Sequence, residues 1–143
     1  MSRDEVQSFF ERYRAAFDRL DGDAVADLWC GASGITDNLG AGGTARLTWW
    51  PADAPMRANH HALCDVYRHN GYHHADFQIT AHQPLGAHHA FAHLHWTLLR
   101  ADGSLLQQFH TVYQLMRGPH GPQVLLAVAH QEALQDMKPD AAQ

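Results

Sequence analysis

Imidazole is the chemistry this chain offers most of: 13 of its 143 residues are histidine, about four times ordinary usage. Seven of them fall in the stretch from Ala87 to Glu132, which reads as three consecutive β-strands, AHHAFAHLHWTLLR, LLQQFHTVYQLMR and PQVLLAVAHQE. The connections Ala101-Asp102-Gly103-Ser104 and Gly118-Pro119-His120-Gly121-Pro122 are hairpin chemistry, because glycine supplies the positive φ of a tight turn. A period of two puts Phe91, His93, His95, Thr97 and Leu99 on one face of the first strand and Ala92, Leu94, Trp96 and Leu98 on the other. In the second strand Gln108, His110, Val112 and Gln114 alternate with Phe109, Thr111, Tyr113 and Leu115. In the third, Leu126, Val128 and His130 alternate with Leu125, Ala127 and Ala129. With the strands in step, His93, His95, His110 and His130 share one surface.

Two chemistries follow from such a surface. Imidazoles titrate near neutral pH and can act as acid, base or hydrogen-bond donor. They can also bind a metal, since His93-x-His95 puts two rings on one strand face and His110 could add a third from across the ladder. His-x-His sites of the cupin kind add a glutamate a few residues on, whereas Thr97, Leu98, Leu99 and Arg100 follow here. No metal or other cofactor is therefore assigned. The plain alternative is that these histidines are satisfied by backbone, water and one another.

Composition excludes several classes. Ten Lys and Arg against 15 Asp and Glu give a net charge of −5, and no basic cluster exists to neutralise phosphates, so nucleic acid is not an expected partner. No apolar run approaches the roughly 20 residues of a membrane span, and MSRDEVQSFF lacks a signal-like pattern. Cys30 and Cys64 have no paired spacing and read as reduced thiols. The expectation is a cytoplasmic chain of one domain over residues 1–143, ordered from about 5 to 132, without membrane partners.

The elements that must position the histidines read as follows. Ser2-Arg3-Asp4-Glu5 is a capping box. Val6, Phe9, Phe10, Tyr13, Ala16, Phe17 and Leu20 form the apolar stripe of a first helix. Asp21-Gly22-Asp23 breaks it, and Ala24, Val25, Leu28 and Trp29 outline a short second helix. Cys30 to Asp53 is glycine-rich and reads as irregular backbone with one short strand, then a strand over Thr44–Trp50 ended by Pro51. Asp53 is the expected cap of a third helix that Asn70-Gly71 closes, with Met56, His60, Leu63 and Tyr67 facing inward. A strand with Phe77, Ile79 and Ala81 on one face leads through Pro84-Leu85-Gly86 into the hairpins. His69, His73, His74, His88, His89 and His120 are expected in loops or strand ends, and the polar tail after Glu132 is expected to fray.

Helices followed by antiparallel strands with one helix inserted make an α+β fold in which a curved sheet wraps around helices. The helix pair FFERYRAAFDRLDGDAVADLW, the middle helix MRANHHALCDVYRHNGY and the strand–turn–strand ending resemble the nuclear transport factor 2-like superfamily, in particular its SnoaL-like and ketosteroid-isomerase-like branch. The resemblance runs from about Glu5 to Glu132. It implies a cone-shaped curved antiparallel sheet around N-terminal helices, a cystatin-like α+β roll, a cone that holds a small ligand, and a homodimer. In the isomerase-like members a carboxylate after the second helix moves a proton, and a first-helix tyrosine helps stabilise the oxyanion. Asp37 and Tyr13 match those two positions. His110 and Val112 stand near where a further carboxylic acid should be, so isomerase activity is not implied.

The expected pocket then has Asp37, Tyr13 and His110 as catalytic candidates, with His93, His95, His130, Trp29, His60 and Gln108 contacting a small carbonyl- or ring-bearing ligand. Parity leaves one choice open. If the histidine face lines the cone, the face with Trp96 and Tyr113 must be covered by a second copy. If the apolar face lines the cone, the histidines are outside and wet. Three functions remain open: an acid–base enzyme, a non-catalytic ligand-binding or dimeric interaction module, and a metal-binding protein.

Overall fold

The structure, a computed structural model, describes residues 1–132; the polar tail expected to fray lies outside them. The chain runs α1 (Arg3–Asp18), α2 (Gly22–Ala26), β1 (Trp29–Asp37), a 3-10 turn (Ala41–Gly43), β2 (Arg46–Trp50), α3 (Asp53–His69), β3 (Tyr72–Leu85), β4 (His89–Arg100), β5 (Leu105–Gly118) and β6 (Gly121–Glu132). One six-stranded sheet in the order β2-β1-β6-β5-β4-β3 carries the helices on one face. All its pairings are antiparallel except β1 with β6, which is parallel. The α+β expectation holds, with this one parallel crossover added to the antiparallel sheet.

The capping box starts α1 as its spacing requires: the Ser2 hydroxyl accepts from the Glu5 amide at 3.1 Å, and Glu5 accepts from the Ser2 amide at 3.3 Å. Glu5 also accepts from Arg117 at 2.7 Å, which ties the helix start to β5. That bond, then the Ser2 amide, holds the Glu5 carboxyl down to about 2. The stripe Val6, Phe9, Phe10, Tyr13, Ala16 and Phe17 is buried along the whole helix. Asp21 caps α2 by accepting from the Ala24 amide at 3.0 Å. This helix ends at Ala26, earlier than its apolar pattern suggests, because Trp29 opens β1 instead. Gly22 lets α2 lie on α3, since a Cβ there would stand 2.6 Å from the His61 ring. Arg57 of α3 closes that contact with Asp23, Asp27 and Asp53 at 3.3, 2.9 and 3.1 Å.

Two local expectations change. Asp53 lies inside the first turn of α3 and Ala52 holds the cap position, so the carboxylate pairs with Arg57 rather than with the helix amides. The glycine-rich segment expected to be irregular is a nine-residue strand, β1. Its Gly34 pairs with Trp49 of β2, and a Cβ on Gly34 would meet the Trp49 ring at 2.7 Å. Glycine there is a packing requirement of a strand.

The sheet's inner face is the apolar one. Ala90, Ala92, Leu94, Trp96 and Leu98 are all buried against the helices. Phe10 lies 4.9 Å from Tyr113 and 6.4 Å from Trp96 between ring centroids, distances at which aromatic contacts are favourable. The Trp96 indole donates to the Tyr113 hydroxyl at 2.9 Å, so the polar tips of two buried rings satisfy each other.

Asp18 fastens the end of α1 to β3. It accepts from the Tyr72 hydroxyl at 2.7 Å and the Ala75 amide at 3.1 Å, and its other oxygen contacts His74 Nδ1 at 2.8 Å. His74 Nε2 meets Asp76 at 2.9 Å. Partial burial opposes protonation of this ring, but the carboxylates of Asp76 and Asp18 together outweigh it and raise its pKa. His74, expected to be solvated, is a structural contact. Asp18→Ala should lower stability by about 2–3 kcal/mol, the scale for losing hydrogen bonds to a charged group. The His74 part is fully present below the unfolded imidazole value of about 6.5 and fades as pH rises through the higher folded value. Urea midpoints should therefore show a larger penalty for Asp18→Ala in mildly acidic than in mildly alkaline buffer.

Candidate functional site

Between the inner face of the sheet and the helices α1 and α3 lies a cavity of about 390 Å³. Tyr13 and Phe17 of α1 and Trp96 and Tyr113 of the sheet form one side. Strand parity puts these rings inward, and the small side chains Ala75, Ala127 and Ala129, also in the wall, leave the space unfilled. Leu39, Arg46 and Ala62 line it too while being exposed, which locates the mouth where the β1–β2 connection faces α3.

The mouth carries an ion pair. Arg46 grips both oxygens of Asp37, with Nε to Oδ1 at 3.2 Å and Nη2 to Oδ2 at 2.7 Å, and the Leu39 amide donates to Oδ1 at 3.0 Å. The two residues are direct cross-strand partners, so the register of β1 and β2 builds the pair. Asp37 is largely buried, with 11% of its side chain accessible, whereas Arg46 is half exposed.

Deeper in, the wall is apolar with isolated polar groups. Tyr13 is buried, and burial followed by the neighbouring Tyr113 raises its pKa well above the ordinary phenol value. Burial likewise raises that of Tyr113. Both stay protonated hydroxyls. Gln107 and Thr111 of β5 are buried polar residues of the same wall. The indole N–H of Trp29 and the hydroxyl of Thr111 have no hydrogen-bond partner of ordinary geometry, although each lies close enough to Tyr13 or Tyr113 to influence it.

Of the expected site residues, the structure brings Tyr13, Asp37 and Trp29 together around this cavity. The expectation that His93, His95, His110, His130 and Gln108 line it does not hold. These five occupy the opposite face of the sheet, since their strand neighbours Ala92, Leu94, Trp96, Phe109 and Thr111 point inward. Burying Trp96 and Leu94 is favourable, whereas burying imidazoles in their place would desolvate polar rings. By the same orientation Trp96 and Tyr113 pack on α1 and are not available to a second copy. Among the described residues no three His, Cys, Asp or Glu are grouped to hold a metal ion.

His60 is buried but stands outside the cavity wall, behind Trp29. Its ring lies 4.7 Å from Trp29 and 5.9 Å from Trp50, and neither nitrogen has a partner. Burial, then the positive charge of Arg57, pushes its pKa down to about 4. Arg46, Gln107 and Thr111 were not singled out from the sequence. Parity could have found Arg46, which shares the inward side of β2 with Trp50.

An α+β roll with a lined cavity between sheet and helices is thus the class of protein defined by fold and site. The chain belongs to the family described as NTF2-like protein (DUF6841), whose family model matches residues 4–132. No curated protein matches it. Solved structures share the fold at low identity. A domain of unknown function with a cystatin-like fold from Nostoc punctiforme is 12% identical with a TM-score of 0.69, over 92% of this chain and 79% of that one. An NTF-2 like protein of unknown function from Shewanella oneidensis is 14% identical with a TM-score of 0.69, over 92% and 100%. A ketosteroid isomerase-like protein from Erwinia carotovora is 15% identical with a TM-score of 0.60, over 89% and 93%.

His60 gives a test of the packing behind the cavity. It is neutral when folded and free to charge when unfolded, so its contribution to stability is intact above pH about 6.5 and is lost as pH falls toward the folded value. The separation between 6.5 and about 4 corresponds to roughly 3 kcal/mol. Denaturant midpoints from neutral to acid pH should fall steeply in the wild type, and His60→Leu should flatten that fall while staying folded.

Proposed function

We propose that this protein binds a small, ring-bearing, largely apolar molecule in the cavity between its sheet and helices, without performing acid–base chemistry on it. The observation that carries this reading is an aromatic cavity of about 390 Å³ whose largely apolar wall holds the buried polar tips of Tyr13, Trp29, Thr111 and Tyr113. Ligand pockets of a few hundred Å³ are mostly apolar with a few placed polar groups. Protonated hydroxyls and an indole N–H favour a ligand that presents an acceptor oxygen, such as a ring ketone or phenol. Asp37 matches the position of a base in the isomerase-like branch, yet both of its oxygens are already engaged by Arg46 and the Leu39 amide. That engagement supports binding over proton abstraction.

Titrating the protein with one- and two-ring phenols and ring ketones should give saturable quenching of tryptophan fluorescence. Tyr13→Phe should weaken binding about tenfold, the equivalent of one hydrogen bond. Ala62→Trp, at the exposed mouth, should abolish it while leaving the unfolding midpoint unchanged. Absence of saturable binding, or equal binding by Ala62→Trp, defeats the reading.

A second proposal concerns the outer face of the sheet, which we infer pairs with a second copy of the chain. Leu47 and Trp49 of β2 are 63% and 49% exposed there. The same side continues through Val128 and Leu126 of β6, Val112 of β5 and Phe91 of β4. Five strands at about 4.8 Å spacing and about 20 Å of length give roughly 500 Å² of projected face. Side-chain relief brings that toward the ~800 Å² per partner of a standard interface. Sedimentation at micromolar concentration should show a dimer, and Leu47→Asp with Trp49→Asp should give a folded monomer.

A further inference from the structure

Four imidazoles stand together on this outer face. His95 and His110 are direct cross-strand partners with ring centroids 4.5 Å apart, and His130 lies 5.9 Å from His110. His93 follows on the same face of β4, opposite Val112. The rings form a ladder across β4, β5 and β6, with His93 exposed and His95 and His110 half-buried already in a single copy.

The charges around the ladder are few. On the β3 side His95 faces Gln78 and His93 faces Ala81. Along β4 and β5 the neighbours are Phe91, Thr97, Gln108, Val112 and Gln114, and His89 lies further along the same side of β4. On β6 and β1 they are Val128 and Thr36, and on β2 Leu47 and Trp49. Among the described side chains Asp76, opposite Thr97, is the acid of this face, and its carboxylate is engaged by His74. Arginines Arg46 and Arg117 belong to the inner side, where they pair with Asp37 and Glu5. Among the described side chains, the ladder's neighbours on its own elements carry no titratable group apart from His89.

A face whose acid, Asp76, is already engaged by His74 suits contact with its own copy, because a twofold contact sets every group near the same group and unpaired like charges would repel each other. We propose that the ladder of His93, His95, His110 and His130 makes self-association acid-sensitive: the uncharged rings allow the outer faces of two copies to close on each other, and their protonation drives the copies apart. This rests on the pairing proposed above. An imidazole ordinarily takes up its proton near pH about 6.5. Adjacent rings pressed between two sheets would have to carry that charge against one another and without water. The separated copies hold the protons more readily, so the dissociation constant rises as pH falls, by up to about tenfold per pH unit for each proton taken up.

The test is sedimentation of the full chain near pH 8 and near pH 5.5, with far-ultraviolet dichroism confirming the fold at both. The expected result is a wild-type dissociation constant at least about 100-fold weaker in acid. His93→Gln, His95→Gln, His110→Gln, His130→Gln, a quadruple variant that cannot charge anywhere on the ladder, should change by less than about threefold. His95→Lys, which charges the ladder permanently, should be monomeric already near pH 8. A wild-type dimer of equal affinity at both pH values overturns the acid sensitivity and leaves the dimer standing. A quadruple variant that dissociates in acid as the wild type does overturns it too, placing the effect at a group both share, such as His60 or His89. A His95→Lys protein that dimerises like the wild type also overturns it. A wild type that is monomeric near pH 8 overturns the dimer, and with it this inference.

Discussion

The contact between the aromatic stripe of α1 and the inner face of β4 and β5 is what the rest of the structure depends on. Phe10 and Tyr13 meet Trp96 and Tyr113 there, and the strands supply Ala90 and Ala92 where the helix needs room. Each of these large rings removes on the order of 150–250 Å² from water, far more than any competing arrangement of that strand could bury. Once Trp96 points at α1, a period of two leaves no freedom: His93 and His95 point away, and through the register so do His110 and Val112. The distribution of polarity over the whole molecule follows from which side of one strand meets one helix.

The cavity is the other consequence of that contact. α1 covers only part of the sheet, and α3 reaches over the remainder from the β1 side. Where neither helix fills the space, the wall residues are either small, as at Ala75 and Ala127, or rings whose edges stop short of one another. Closing such a void with a larger side chain would ordinarily stabilise a core. The chain instead keeps it and stations Tyr13, Trp29 and Thr111 in its wall.

Much of this was legible in the sequence, and the reasons differ by element. α1 was readable because the cap, the stripe and the Asp-Gly-Asp break all signal locally. The two hairpins were readable because Asp-Gly and Gly-Pro turns force the chain back on itself. β1 was obscured because glycine reports conformational freedom whatever its cause, and at Gly34 the cause is a tryptophan ring from the next strand. The parallel pairing of β1 with β6 joins segments some 90 residues apart, and no local pattern encodes it. Alternation sorted the side chains of β4 into two sets correctly, but it is symmetrical with respect to inside and outside. The histidines drew attention as chemistry, while the set that decided the matter was the one with the larger apolar rings.

Arg46 shows how a site can change character with the fold intact. In an apolar pocket an unpaired carboxylate at the position of Asp37 would be a strong candidate to take a proton, because desolvation makes it a better base. Here the register of β1 and β2 sets an arginine directly across from it, and the guanidinium fork takes both oxygens while a backbone amide takes a further lone pair. A charge-assisted bidentate contact of this sort is the strong kind of hydrogen bond. The pair also closes the last rung of the β1–β2 hairpin, beside the exposed Leu39 at the cavity mouth. The same two side chains thus fasten the hairpin and polarise the entrance.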